Sequence, residues 1–166
     1  RSAGPIGTNL ENMSKHHRNR NWAPAPQPLP EDAHVIDNHT HVASVVPFSQ
    51  AMSHEAMEKG QGEVPVYSVD ELLEQAQKVG VEGVIDCGCE LPNLMTAIDM
   101  AREHPGTVHA AIAIHPNEAV LHGHRGAPGP DGLPIKYKPW HDIPFDEAMA
   151  EVHRLATTYP NQVVAI

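Results

Sequence analysis

The sequence predicts an α/β fold in which the strands run parallel and helices connect them. Three observations support this. Short apolar runs typical of buried strands recur from residue 34 onward, amphipathic helical patterns lie between them, and the connections around the central units are short. The resulting order is β, α, β, α, β, α, β. That alternation indicates a parallel sheet with right-handed helical crossovers.

The first half of the pattern contains two strands and one helix. Residues 34–42 are predicted to form the first strand. Ser68 and Glu71 have the spacing of a capping box, in which each side chain bonds the other residue's amide. They predict a helix that ends at Gly80, since its apolar positions fall on one face. Residues 81–87 follow as the second strand.

The second half continues the alternation. A helix is predicted from Pro92 to about Glu103, with Leu94, Met95, Ile98 and Ala101 on its inner stripe. Residues 107–114 are almost continuously apolar, as expected for a strand buried on both faces. Residues 123–144 are rich in Gly, Pro and charge, which predicts an inserted surface loop. The last elements are a helix over 145–159, packed through Phe145, Met149, Val152 and Leu155, and a buried strand over 162–166.

Residues 1–34 are predicted to be a flexible, Pro-rich basic tail, with the folded part at 35–166. Residues 1–30 carry four basic residues and one acidic residue, whereas the rest carries seven basic and twenty acidic ones. Met13 could be the native start. An acidic body does not attract nucleic acid by bulk charge, so any action on phosphodiesters would need local cations such as metal ions.

The sequence contains no signal for a membrane or an oxidising compartment. Cys87 and Cys89 are too close in sequence to favour a structural disulfide between them. No apolar run is long enough to span a bilayer, and the N-terminal residues lack the order of a secretory signal. We therefore expect a cytoplasmic protein with no membrane partner.

The strongest candidate site is a histidine pair in Asp37-Asn38-His39-Thr40-His41. Alternate strand residues share a face, with Cα atoms about 6.6 Å apart at a rise of roughly 3.3 Å per residue. His39 and His41 can therefore converge on one divalent ion, each through one ring nitrogen. Asp37 shares that face and is better placed to orient the pair than to bind the ion.

A second candidate is His115, in Ala113-Ile114-His115-Pro116. Pro116 ends the third strand, which places His115 at the carboxyl edge, where parallel α/β folds build their active sites. The side chain could contact a substrate phosphate or carry a proton. A loop histidine with a purely structural role is the alternative.

Other residues near the strand ends are weaker candidates. Asp86, Cys89 and Glu90 are expected near the rim of the second strand. Thiolates could bind zinc, but Cys87 and Cys89 are better explained as small packing residues. His122 and His124 adjoin a Gly/Pro-rich segment and are predicted to lie on the surface.

These motifs resemble the TatD family of metal-dependent deoxyribonucleases, which are amidohydrolase-like barrels. The resemblance rests on residues 35–41, on Gly83-Val-Ile-Asp86 with the helix after it, on residues 113–119 and on residues 162–166. It covers residues 35–166 except the 123–144 insertion. It implies a TIM-type (β/α)8 barrel, of which this chain supplies about the first four strands. An open four-stranded α/β sheet is the alternative fold.

The resemblance also implies a function. His39 and His41 would bind one ion of a site holding one or two Mg, Mn or Zn ions, and His115 would face the substrate, which is DNA. A metal-activated water would cleave the phosphodiester. The family's remaining ligands, a bridging Glu, two later histidines and an aspartate, have no counterpart in these residues. We therefore expect a fragment that is inactive alone, with the missing C-terminal half of the barrel as its partner.

The same sequence features are compatible with two other functions. The first is another amidohydrolase-type hydrolase, acting on an amide, a lactone or a phosphotriester, since it would share the His-x-His motif. The second is a non-catalytic half-barrel interaction module, if the natural chain ends at Ile166. Finding Gly-Glu directly after Ile166 would favour the nuclease.

Overall fold

The structure is a computed structural model that describes residues 29–30, 32–61, 65–129, 132, 134 and 136–166. Most of the predicted tail, residues 1–34, lies outside the described residues. Within its described part, Leu29 donates its backbone N–H to the Val79 carbonyl. The elements in chain order are β1 (Val35–Thr40), α1 (Val42–Glu58), α2 (Val69–Lys78), β2 (Val81–Gly88), α3 (Leu91–Glu103), β3 (Val108–Ile112), α4 (Pro116–Ala119), a 3-10 helix (Pro139–Asp142), α5 (Phe145–Thr158) and β4 (Val163–Ala165).

The four strands form one parallel sheet in the order β1-β2-β3-β4. The predicted α/β class and the parallel sheet are thus confirmed. Consecutive strands lie side by side throughout, whereas the strand order of a doubly wound fold reverses at a switch point. The described sheet is therefore consistent with successive strands of a TIM-type barrel. All four carboxyl ends lie at one edge, where the candidate residues follow β1, β2 and β3.

The core lies between the sheet and the helices α3 and α5. Leu94, Ile98 and Ala101 on α3 pack with Val108 and Ile112 of β3 and are all buried. Each fully buried Leu or Ile side chain contributes about 1.5–3 kcal/mol to stability. The predicted stripe of α3 is therefore correct in Leu94, Ile98 and Ala101, while Met95 is only partly buried. Because α3 directly follows β2 and packs on β3, this packing holds the end of β2 in position relative to the end of β3.

Helix α2 begins where the capping box predicts. The Glu71 amide donates to Ser68 Oγ at 3.2 Å, and the Ser68 amide donates to Glu71 Oε2 at 2.8 Å. The backbone amide and the hydroxyl of Ser68, both bonded to the Glu71 carboxylate, lower the pKa of that group. Two amides that the first turn leaves without helical partners are thus satisfied.

We expect Ser68→Ala to lower the free energy of unfolding by about 1 kcal/mol, since the N-cap acceptor is lost. Urea unfolding followed by circular dichroism measures this change. Ser53→Ala, at a half-buried position inside α1 where the serine is not a helix cap, is the matched control and should not lower the midpoint. Equal midpoints for both variants would contradict the role of the capping box.

Three predictions about the elements are wrong. Phe145, predicted on the inner face of α5, is 41% exposed, and Ala148 occupies the buried position instead. The last strand was predicted to be buried, but Val164 is 52% exposed. β3 itself alternates between buried and half-buried residues rather than being buried on both faces.

Helix α1 was not predicted. It contains Pro47 and few regularly spaced apolar residues, and only Val42 and Ala56 of its 17 residues are buried. No helix among the described residues is both long and apolar enough to cross a membrane.

Candidate active site

The rings of His39 and His41 lie side by side at the end of β1. Their centroids are 5.3 Å apart and the ring planes are nearly perpendicular. Both residues are exposed. His41 Nδ1 donates a hydrogen bond to the Cys87 carbonyl at 3.0 Å, because a carbonyl can only accept. The neutral ring therefore keeps its lone pair on Nε2, which is the arrangement that orients metal-ligating histidines.

Asp37 contacts the main chain of the pair. Its Oδ1 accepts the backbone N–H of His39 at 3.1 Å. This bond stabilises the local turn of the strand, where the β1–β2 register is irregular between Asp37 and Thr40. The support that Asp37 gives to His39 therefore acts through the backbone.

Asp86 on β2 pairs in register with Thr40, the residue between His39 and His41, and is only 2% exposed. Its Oδ1 accepts the backbone N–H of Ala43 in a long 3.4 Å bond, so the carboxylate faces the first turn of α1, directly after His41. Burial raises the pKa of Asp86, while the amides of Ala43 and Val42 and the nearby His41 act in the opposite direction. Asp86 thus links the end of β2 to the chain that carries His41. The sequence placed this residue near the rim without assigning it a role.

The segment Cys87–Cys89 connects the two halves of the site through its carbonyl groups. The Cys87 carbonyl accepts from His41, the Gly88 carbonyl from Ala113, and the Cys89 carbonyl from His115 N at 2.9 Å. Gly88 permits this because a Cβ there would lie 2.9 Å from the Asn93 carbonyl oxygen. The end of β2 therefore contacts both predicted histidine motifs.

The two thiols of this segment are half-buried and unpaired. Burial is the main cause that raises the pKa of Cys87 and of Cys89, and neighbouring acidic groups raise both pKa values further. Neutral thiols are poor metal ligands and poor nucleophiles. The contribution of this segment to the site is therefore made by its backbone.

His115 is the N-cap residue of the single-turn helix α4 and is exposed. Its Nδ1 accepts the backbone N–H of Asn117 at 3.1 Å, so the proton of the neutral ring lies on Nε2. An exposed Nε2–H can donate to a phosphate oxygen, whereas a metal ligand needs a lone pair at that nitrogen. This geometry makes Nε2 of His115 a hydrogen-bond donor, which does not suit direct binding of a metal ion.

A buried polar cluster lies behind His115 and was missed by sequence reasoning. His141 is 0% exposed, and its Nε2 is 2.5 Å from Oε2 of Glu118, which is 9% exposed. The prediction that His122 lies on the surface is wrong, since it is 2% exposed and its Nδ1 donates to the Ile143 carbonyl at 2.8 Å. His124 is exposed as predicted. No spacing in the sequence links Glu118 to His141, which is 23 residues further along the chain.

Two adjacent imidazoles, one of them oriented by a carbonyl, fit a divalent ion. Among the residues that the structure describes, no group of three or more His, Cys, Asp or Glu side chains could hold one. Catalytic zinc sites use three protein ligands. The described histidine pair therefore fits part of a metal site.

The fold and these residues define a parallel α/β protein with its polar groups gathered at the carboxyl edge of the sheet. A family model described as TatD related DNase matches residues 36–166. The chain therefore belongs to the TatD family, whose members are generally metal-dependent hydrolases. No curated protein and no solved structure matches the chain.

Proposed function

We propose that the protein is a divalent-metal-dependent deoxyribonuclease that hydrolyses phosphodiester bonds of DNA. The observation that carries this proposal is the adjacency of His39 and His41, with His41 Nε2 left available by the bond to the Cys87 carbonyl. Family membership supports the class of reaction. Free thiols at Cys87 and Cys89 are in keeping with the cytoplasmic location that forms part of the proposal.

Each residue has a separate role in this reaction. His39 and His41 would hold the ion, and Asp37 and Asp86 would keep the backbone around them in place. When bound, a divalent ion supplies charge stabilisation and lowers the pKa of water. His115 would donate its Nε2–H to a phosphate oxygen as negative charge develops there. A bound ion would also offset the acidic character of residues 31–166 for an anionic substrate.

The two histidines are fewer ligands than such a site uses, so the proposal includes further ligands from additional polypeptide. β1 and β4 are both edge strands of the described sheet, and further barrel strands could pair with them. The DNA substrate, the additional polypeptide and the choice among Mg, Mn and Zn all belong to the proposal.

The test uses the natural protein that contains these residues and an end-labelled single-stranded oligonucleotide. We expect cleavage with Mg²⁺ or Mn²⁺, loss of cleavage after EDTA treatment, and recovery when the ion is returned. The same preparation is assayed on amide, lactone and phosphotriester substrates. Turnover of one of these with the oligonucleotide left intact would contradict the nuclease proposal, and a preparation that binds no metal would favour the interaction module.

A further inference from the structure

The end of the insertion contacts two segments that adjoin His115. One is helix α4, which follows His115, and the other is the end of β2, whose Cys89 carbonyl bonds the His115 amide. We call residues Lys138–Asp142 the stem; it consists of Lys138 and the 3-10 helix Pro139–Asp142. From this stem, His141 Nε2 donates to Glu118, and Lys138 Nζ lies 3.0 Å from both carboxylate oxygens of Glu90. The stem is therefore attached to α4 and to the N-cap residue of α3.

Both attachment points are close to the backbone groups of His115. The Glu118 amide donates to the His115 carbonyl at 2.8 Å. Glu90 directly follows Cys89, whose carbonyl accepts the His115 amide. A four-residue helix such as α4 has little internal hydrogen bonding to hold it. The side-chain bond of Glu118 therefore adds a tertiary constraint on α4 to the backbone bonds that hold His115.

The ring of His141 is itself fixed in the stem. Its Nδ1 accepts the backbone N–H of Lys138 at 3.0 Å, which leaves the Nε2 proton for Glu118. The stem is braced further from outside, since Asp142 Oδ1 accepts from Arg125 at 2.9 Å and from Tyr137 at 3.0 Å. The stem therefore determines the position of His141 Nε2, which is the hydrogen-bond donor to Glu118.

A buried hydrogen bond between a neutral imidazole and a carboxylate contributes little net stability, because desolvation of the two polar groups offsets their attraction. An apolar pair of similar volume could stabilise the same contact. The polar pair adds a directional constraint, because a hydrogen bond fixes the orientation of the Glu118 side chain and thereby of α4. A role in geometry accounts for this pair better than a role in stability.

We propose that His141 is a positioning residue for His115, acting through Glu118, so that the 123–144 insertion belongs to the active site. The inference rests on the proposed function, in which His115 contacts the scissile phosphate. It assigns to the insertion a task beyond covering the surface. Displacement of a reacting group by about 1 Å can reduce a rate about 100-fold.

The experiment compares His141→Leu, which removes the donor, with His141→Gln, which offers an amide donor near the Nε2 position. We expect His141→Leu to lower kcat for DNA cleavage at least tenfold with unchanged metal content and little change in KM. His141→Gln should recover part of kcat. The exposed His124→Gln, in the same insertion, is the matched control and should cleave at the wild-type rate.

A second readout does not depend on activity. Long-range ¹H–¹⁵N spectra of the histidine rings report which nitrogen of His115 carries the proton. In the wild-type protein we expect the Nε2–H form, and in His141→Leu a mixture of both forms. If His141→Leu does not fold, Glu118→Met removes the acceptor of the same hydrogen bond and is expected to produce the same two changes.

The outcomes separate the two proposals. A folded His141→Leu with wild-type kcat and an unchanged His115 spectrum would overturn the positioning role. A wild-type protein that does not cleave DNA would overturn the proposed function, while the altered His115 spectrum in His141→Leu would still support the coupling between the insertion and His115.

Discussion

Replacement of both His39 and His41 by alanine is expected to remove the bound divalent ion and to reduce DNA cleavage by the natural protein to background. The two rings are the adjacent imidazoles at the carboxyl edge of β1. Loss of a group that merely supports a metal ligand costs about 10–100-fold in affinity or activity. Loss of two direct ligands should therefore exceed that range.

Elemental analysis of the dialysed protein measures the occupancy, and titration calorimetry measures the affinity. Both side chains are exposed, so the change in stability should stay within about 0.5 kcal/mol. His153→Ala, an exposed histidine on α5, is the matched control for removing an imidazole. Unchanged occupancy in the double variant would refute the assignment of these ligands.

The prediction of the sheet succeeded where the chain follows simple periodicities. A buried strand followed by an amphipathic helix identifies a parallel unit by itself, and Ser68 with Glu71 marks the start of α2 from local chemistry alone. The adjacency of His39 and His41 follows from the two-residue period of a strand. The two rings stay close despite the register irregularity between Asp37 and Thr40, because the residues are only two positions apart in the chain.

The prediction failed where long-range contacts decide the environment. Glu118 and His141 are 23 residues apart, and no periodicity connects a single-turn helix to a Gly/Pro-rich insertion. His122 is polar and adjoins that insertion, so its sequence context suggested the surface. Its burial depends on a long-range contact, in which the Ile143 carbonyl accepts the hydrogen bond from His122 Nδ1. The exposed α1 was missed because its apolar residues do not form a stripe.

His115→Asn is expected to lower the rate of DNA cleavage by about 100- to 1,000-fold, the usual cost of removing a donor aimed at developing negative charge. Asparagine is an effective N-cap residue. Its side-chain oxygen can replace Nδ1 as the acceptor for the Asn117 amide, while the Nε2–H is lost. The substitution thus separates the two functions of the ring.

Two comparisons make this result specific. His115→Ala loses both functions, so it should be as inactive as His115→Asn and in addition less stable by about 1 kcal/mol in urea unfolding. Metal content should stay at the wild-type level in both variants, because the Nε2 proton of His115 makes this ring a donor rather than a ligand. Loss of metal from folded His115→Asn would instead assign His115 to the metal site. A wild-type cleavage rate would remove His115 from the reaction altogether, since the retained cap excludes a compensating change in α4.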